Sequence, residues 1–273
     1  MLGNLANEVI FKKAFTDKFV LQCLVKDLFQ VDFVPETVET EKRFEPKIAH
    51  IDFKYDIFAQ SKDQRVIVEI QRVDYDYNFD RFLLYHNMAI AEMQRNSEEY
   101  KIDKVVYTIA FFTGKYVCTE RNGNLVESDI LFHHSNLFDI EGKEFDVFGH
   151  RLIFLNHNYI KDITPEGYKD WLSLVRESIK NPKNPIINLA NQGVRKVAEL
   201  IDYERLSPEE MRETKNRNAA ESAKVAYKEY YERKRNIEVA KNAIVEGASD
   251  SFVAKITGLT LEQIQKLRNE INQ

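Results

Sequence analysis

Two short alternating runs constrain this chain more than any other stretch. Tyr55-Asp56-Ile57-Phe58-Ala59 and Val66-Ile67-Val68-Glu69-Ile70-Gln71 each read as a strand. The polar Ser61-Lys62-Asp63-Gln64 between them is short enough for a hairpin. Adjacent antiparallel strands lie about 4.8 Å apart, and their side chains alternate between two faces. If Asp56 and Glu69 share a face near the open end of the sheet, two carboxylates converge where a hard divalent cation can sit. Gln71 points the same way as Glu69, while Val68 and Ile70 point to the opposite face, into a core. Acidic residues on a strand most simply meet water. Two features weigh against that here. Aspartate and glutamate are poor strand formers, and Glu69 ends a β-branched run that suggests cover on both faces. A carboxylate held there needs a cation. Asp52 competes with Asp56, because it lies on the same strand face about 13 Å away. Lys54 stands between them and can pair with either. Spacing leaves the choice of aspartate open.

The hairpin sits inside an alternation of helical and strand periods. From Leu5 to Phe29 apolar residues recur every three or four positions, interrupted at Thr16-Asp17-Lys18, which predicts two helices. Val38 to Phe44 alternates as a first strand, and Pro46 ends it. The second strand is expected over 51–59 and the third over 65–71. Between Asp76 and Tyr100, Phe79, Phe82, Leu83, Ala89, Ile90 and Met93 form one helical stripe. Asp103–Thr113 is an apolar, β-branched and aromatic run, expected as a buried strand. Further strands are expected over Asn124–Phe132 and Arg151–Asn156. This order is an α/β arrangement, with the long helix packed on one sheet face.

Beyond Asp162 the chain reads as helical. Thr164 is the expected N-cap of a helix carrying Trp171, with Pro165 at its first position. Asn181–Pro185 is a break. Ser207 with Glu210 and Thr260 with Gln263 have the spacing of capping boxes. Gly247 and Gly258 read as helix stops, and the two short helices around Gly258 have a helix-turn-helix outline.

The totals narrow the class. The chain has 273 residues, of which 44% are hydrophobic and 30% charged, enough for a packed core. A formal net charge of -5 is not that of a tight, non-specific nucleic-acid binder, although a local basic groove is compatible with it. The two cysteines, Cys23 and Cys118, offer no zinc or disulfide framework and suit a reducing cytoplasm. No apolar segment is long enough to span a bilayer, and the N-terminus lacks the pattern of a signal peptide. Cytoplasmic location without membrane attachment is the expectation. Motifs for phosphate loops, zinc peptidases and serine or cysteine nucleophiles are absent.

Several other residues bear on chemistry. Arg81 and Tyr85 are one helical turn apart and can share a face. They read either as a surface arginine over a ring or as a phosphate contact. Glu8, on the first helix, reads most simply as solvated. His133 and His134 are adjacent in a strand and point opposite ways, so they do not share a metal. They are read as structural, as are His50, His86, His150 and His157.

At Asp56…Glu69-Ile70-Gln71 the sequence resembles the PD-(D/E)xK nuclease family transposases, the recombination-promoting nucleases of bacteria. NEVIFKKAF resembles that family's opening, YDIFAQSKDQRVIVEIQ its central motif, FDRFLLYHNMAI its Arg-x-x-x-Tyr helix and FVAKITGLTLEQIQKL its C-terminal helix pair. The resemblance implies a restriction-endonuclease-like α/β core with a central mixed sheet flanked by helices, followed by a helical C-terminal region. The corresponding divisions are 1–160 for the nuclease-like core, 161–235 for a helical extension and 236–273 for the helix-turn-helix-like tail. It makes Asp56 rather than Asp52 a metal ligand together with Glu69. Gln71 takes the superfamily's lysine position, Tyr55 stands where its proline would be, and Glu8 becomes an accessory acid. Mg2+ or Mn2+ is the implied cofactor, with the Ile70 backbone carbonyl as a further oxygen. DNA is the implied partner, met by Lys54, Arg72, Arg81 and Tyr85 at its phosphates. The expected activity is metal-dependent DNA endonuclease cleavage linked to recombination or mobile elements. The alternative is a weak or inactive nuclease fold that binds DNA or regulates, because glutamine cannot exchange a proton as lysine does. Self-association is expected through the C-terminal helices.

Overall fold

The computed structural model describes residues 1–44, 53–72, 78–94, 100–116 and 118–271. Asp52, His50, Pro46 and the expected strand start at 51 lie outside them, as do the expected helix start at Asp76 and the residues before Tyr100. The described chain divides into two compact units, Met1–Met211 and Arg212–Gln273.

The first unit opens with α1 (Glu8–Phe15) and α2 (Lys18–Phe29). The polar break between them is a stop and a restart. Asn7 caps α1 through Val9 N–H, and Asp17 caps α2 through Phe19 and Val20 N–H. Three antiparallel strands follow, β1 (Thr37–Phe44), β2 (Phe53–Gln60) and β3 (Gln64–Gln71). Helix α3 (Asn78–Ala91) then crosses over to β4 (Val105–Phe112), which lies parallel to β3. β5 (Ile130–His134), the two-residue β6 (Leu137–Phe138) and β7 (Glu144–Phe145), and β8 (Arg151–Asn156) complete the strands. The main sheet runs β1-β2-β3-β4-β8-β5, with β8 parallel to β4 and β5 antiparallel at the edge.

Both faces of this mixed sheet are covered. On one face Ile57, Val66, Val68, Ile109, Phe111 and Ile153 pack with α1, α2, α4 (Glu166–Lys180) and α5 (Gln192–Leu200). Phe15 bridges the layers, its ring 5.6 Å from Phe111 and 6.0 Å from Trp171. On the other face, Phe58, Ile67 and Val106 meet Ala89 and Met93, while Phe112 and Phe154 meet Phe82 of α3. The restriction-endonuclease-like α/β architecture is thus present, with α4 and α5 filling the same core as α1 and α2.

Two local expectations change. The strand expected over 124–132 begins only at Ile130. Asp129 turns the chain there, its carboxylate accepting from Ile130 N–H and its carbonyl from Asn156 N–H. Thr164 does not cap α4. Its hydroxyl is taken by Lys161 N–H and by Asp129, and Pro165 precedes the helix without a side-chain cap.

Helix α6 (Pro208–Val245) starts at the Ser207/Glu210 capping box, formed reciprocally at 2.7 and 3.1 Å. In the second unit, Ala240 and Ile244 of α6 form a small core with Val253 of α7 (Asp250–Thr257) and Ile264 and Leu267 of α8 (Leu261–Ile271). Gly258 joins α7 to α8 at φ +69°, a left-handed turn that favours glycine, and Thr260 and Gln263 complete the second capping box.

Close packing yields a test at Gly193. A Cβ there would lie 2.5 Å from Cys23 Cβ and 2.7 Å from Trp171 Cζ2. Helix propensity alone would make Gly193→Ala stabilising. Overpacking should reverse the sign, and the variant is expected to lose about 1–3 kcal/mol in urea unfolding.

Candidate functional site

The site lies where β2 and β3 stop pairing through their backbones. Their ladder runs from Gln60 opposite Arg65 to Ile57 opposite Val68. One step further, side chains replace it. Asp56 N–H donates to Glu69 Oε1 at 2.9 Å, and Ile70 N–H donates to Asp56 Oδ2 at 3.1 Å. Each carboxylate therefore satisfies the backbone of the opposite strand, which fixes both side chains. The alternation of β2 also changes phase at this point. Ile57 and Ala59 face the core under α1 and α2, whereas Tyr55 and Phe53 pack with Phe58 on the α3 face. Asp56 sits at the reversal, half-buried, and Glu69 is fully buried. Val68 and Ile70 point into the core under α1 and α2 as expected.

Helix α3 supplies a cation. Arg81 Nη1 donates to Gln71 Oε1 at 3.0 Å, and its Nη2 is 3.6 Å from Glu69 Oε2. The guanidinium lies over Tyr85, 5.1 Å from the ring centroid. Arg81, expected at the DNA phosphates, thus stands against Gln71 and Glu69 of β3. Tyr85 is a different case. Its ring packs 5.3 Å from Tyr55 and 5.4 Å from Phe53, and its carbonyl accepts from the Tyr55 hydroxyl at 2.9 Å. Its observed contacts are those of a support beneath Arg81.

Helix α1 brings a second set of charges. Glu8 pairs with Lys12, and its Oε2 lies 3.7 Å from Arg72 Nη2. Lys12 also pairs with Glu41, which in turn pairs with Lys54. Lys12 and Glu41 are absent from the expected site residues. Lys12 was visible one helical turn after Glu8. Glu41 was not, since its place depends on register. It stands between the pairs Thr40–Ile57 and Lys42–Tyr55, opposite Asp56, with a left-handed φ of +56°. The two lysines hold the Glu41 carboxyl down at about 2, Lys12 most strongly and then Lys54. The Lys12 ammonium shifts upward: burial opposes this, but Glu41 and Glu8 together outweigh it.

The two central carboxyls are perturbed the other way. Burial pushes Glu69 well above the usual carboxylate range, and the Asp56 charge adds to the rise. Burial also raises Asp56, against the opposing Ile70 N–H bond, with Glu8 adding to the rise. Such groups are costly to ionise without a compensating cation. The buried Glu69 Oε2 has no hydrogen-bond partner among the described residues. An orphaned carboxylate oxygen beside a second carboxylate fits a hard divalent cation. Among the described residues no three or more His, Cys, Asp or Glu converge as a metal cage. The donor set therefore suits Mg2+ or Mn2+, with Mg2+ usually keeping several waters, rather than a closed zinc site. The described histidines lie elsewhere. His86 bonds Thr108 and is lowered to about 3 by burial, His150 accepts from Val106 N–H, and His157 meets the Thr113 carbonyl.

A mixed sheet covered by helices on both faces, with an acidic pair on neighbouring strands, defines a nuclease-like α/β class. The family model described as PD-(D/E)XK nuclease family transposase matches residues 12–230, and the chain belongs to this family. No curated protein and no solved structure gives a match. PD-(D/E)XK nucleases typically use divalent metals. No helix among the described residues is long and apolar enough to cross a membrane.

The pKa shifts give a pH test in chelator. Raised carboxyl pKa values mean that the folded state binds more protons than the unfolded chain above the ordinary carboxylate range of about pH 4. This contribution to stability is full below that range and is lost as pH rises through the folded values. In EDTA the melting temperature should therefore fall toward pH 8. Glu69→Gln keeps an acceptor for Asp56 N–H and removes the charge, so it should raise the pH 8 melting temperature and flatten the pH profile, as read by circular dichroism.

Proposed function

We propose that this chain is a metal-dependent DNA endonuclease that hydrolyses phosphodiester bonds, acting in recombination or on mobile elements. The observation that carries the proposal is the Asp56–Glu69 pair, whose buried Glu69 Oε2 accepts no hydrogen bond from the described residues, with Arg81 and Gln71 alongside. Asp56, Glu69 and the Ile70 carbonyl would hold Mg2+ or Mn2+. When bound, such an ion polarises a phosphate oxygen, lowers the pKa of a water and offsets developing negative charge.

The chain's own residues do the rest. The reciprocal backbone bonds hold both carboxylates in place without mobile side-chain rotors. Gln71 accepts from Arg81 through its side-chain oxygen, which holds its amide beside Glu69. Arg81 orients Gln71 and places positive charge beside the pair, as bidentate phosphate binding needs. Arg72 and Lys54 add positive charge around the same carboxylates, each alongside an acidic partner. Glu8, 3.7 Å from Arg72 at the end of β3, acts as the accessory acid that ties α1 to the site.

The second reading, a nuclease fold that binds DNA without efficient cleavage, is favoured by Gln71 at the lysine position. Supercoiled-plasmid nicking separates the two. With Mg2+ or Mn2+ the wild type should nick, EDTA should stop it, and Asp56→Ala or Glu69→Ala should lower the rate by about 100-fold or more. Binding without metal-dependent nicking would establish the second reading. Metal binding has its own readout. Mn2+ should raise the wild-type melting temperature at pH 8 and leave that of Glu69→Ala unchanged.

A further inference from the structure

The segment from Phe132 to Phe148 carries apolar side chains that the fold leaves in water. β6 and β7 pair as a two-stranded ribbon, Leu137 opposite Phe145 and Phe138 opposite Glu144, closed by a turn at Gly142 with φ +83°. Phe132, Leu137, Phe138, Phe145, Val147 and Phe148 are exposed, and Ile140 at the tip is fully exposed. Summed, these exposures equal about four whole side chains, or roughly 800 Å² at about 200 Å² for each large side chain. That is about what one partner buries in a standard specific interface. An isolated two-stranded ribbon is at best marginally stable in water. The ribbon follows directly on β5, the edge strand of the main sheet, whose only neighbour in that sheet is β8.

The foot of the same ribbon holds a receptor. A cavity of about 300 Å³ is lined on one side by Leu28, Phe29, Val31, Tyr107 and Phe132, and on the other by His134, Asp146 and Arg151. One chain therefore carries an apolar knob and, next to it, a hole with one apolar wall. Under a two-fold axis these satisfy each other reciprocally. The charge on the ribbon argues against DNA as the occupant, since Asp139, Glu141, Glu144 and Asp146 face a single Lys143. It does not oppose self-pairing strongly. Asp146 pairs with Arg151, and Glu144 is hydrogen-bonded by Asn136, so one of the four acids has its charge matched and a second is held by a neutral partner.

We infer that the β6–β7 ribbon is a dimerisation arm, with Phe138 and Ile140 of each copy seated in the Leu28–Val31–Tyr107 cavity of the other. The arm then provides an apolar area for self-association separate from that of the C-terminal helices, which expose Tyr227, Val245 and Phe252 among others. The test is the weight-average mass of the full chain by light scattering and sedimentation at about 100 µM. The wild type should approach twice 32.1 kDa. Ile140→Asp and Phe138→Ser alter only exposed side chains, so they should keep the wild-type melting curve and weaken association about tenfold or more. Val31→Trp, filling the hole from the other side, should do the same. A monomeric wild type, or a dimer that survives either the arm variants or the cavity variant with unchanged mass, overturns the inference. An arm that crosslinks within one chain to residues 212–273 also overturns it.

Discussion

The structure turns on one exchange of hydrogen bonds. Past Ile57 and Val68, β2 and β3 give up backbone pairing, and the Asp56 and Glu69 carboxylates take over the N–H groups of the opposite strand. A buried N–H left without an acceptor costs about 1–3 kcal/mol, so the two acids are structural and chemical at once. They end the ladder, place two carboxyl groups side by side, and leave one buried carboxyl oxygen with no hydrogen bond among the described residues. Everything nearby responds to that concentration of charge.

The response comes from three elements. Helix α3 contributes Arg81, which ties Glu69 to Gln71 and rests on an aromatic bed of Tyr85, Tyr55 and Phe53. Helix α1 contributes Glu8 and Lys12. Strand β1 contributes Glu41 in a left-handed conformation that a non-glycine residue rarely adopts, bridging Lys12 and Lys54. Backbone held in such a region is commonly found where the surroundings over-determine it, as at functional sites. Lys54 and Lys12 are thus held in a relay of alternating charge beside Asp56. Cations stand beside the pair here without a lysine at position 71, each with an acidic partner.

Much of this was legible in the chain. Strand periods placed β3 and β4 within a residue or two, and β8 at its observed limits, because buried strands carry continuous apolar runs. The two capping boxes were readable because a cap is a local bond between residues three apart. The Thr164 cap failed for the opposite reason. Asp129, distant in sequence, competes for the same hydroxyl. β5 starts later than its sequence pattern suggests because Asp129 bends the chain through its bond network, which has no periodic signature.

At the site itself, local sequence determined that acids stand in two strands joined by a short polar turn. Together with the periods around them, this gives an α/β order, while the pairing of Asp56 rather than Asp52 with Glu69 rests on the family resemblance. Only the folded chain decided what surrounds that pair. Tyr85 packs against Phe53 and Tyr55 because those two residues reverse their facing at Asp56, a phase change that strict alternation does not foretell. Glu41 and Lys12 reached the site through β1 register and helix docking. The exchange at Asp56 and Glu69 combines both kinds of information. Residue type supplied two carboxylates, and strand separation past Ile57 turned them into each other's backbone partners, because a buried N–H must find an acceptor wherever the ladder ends.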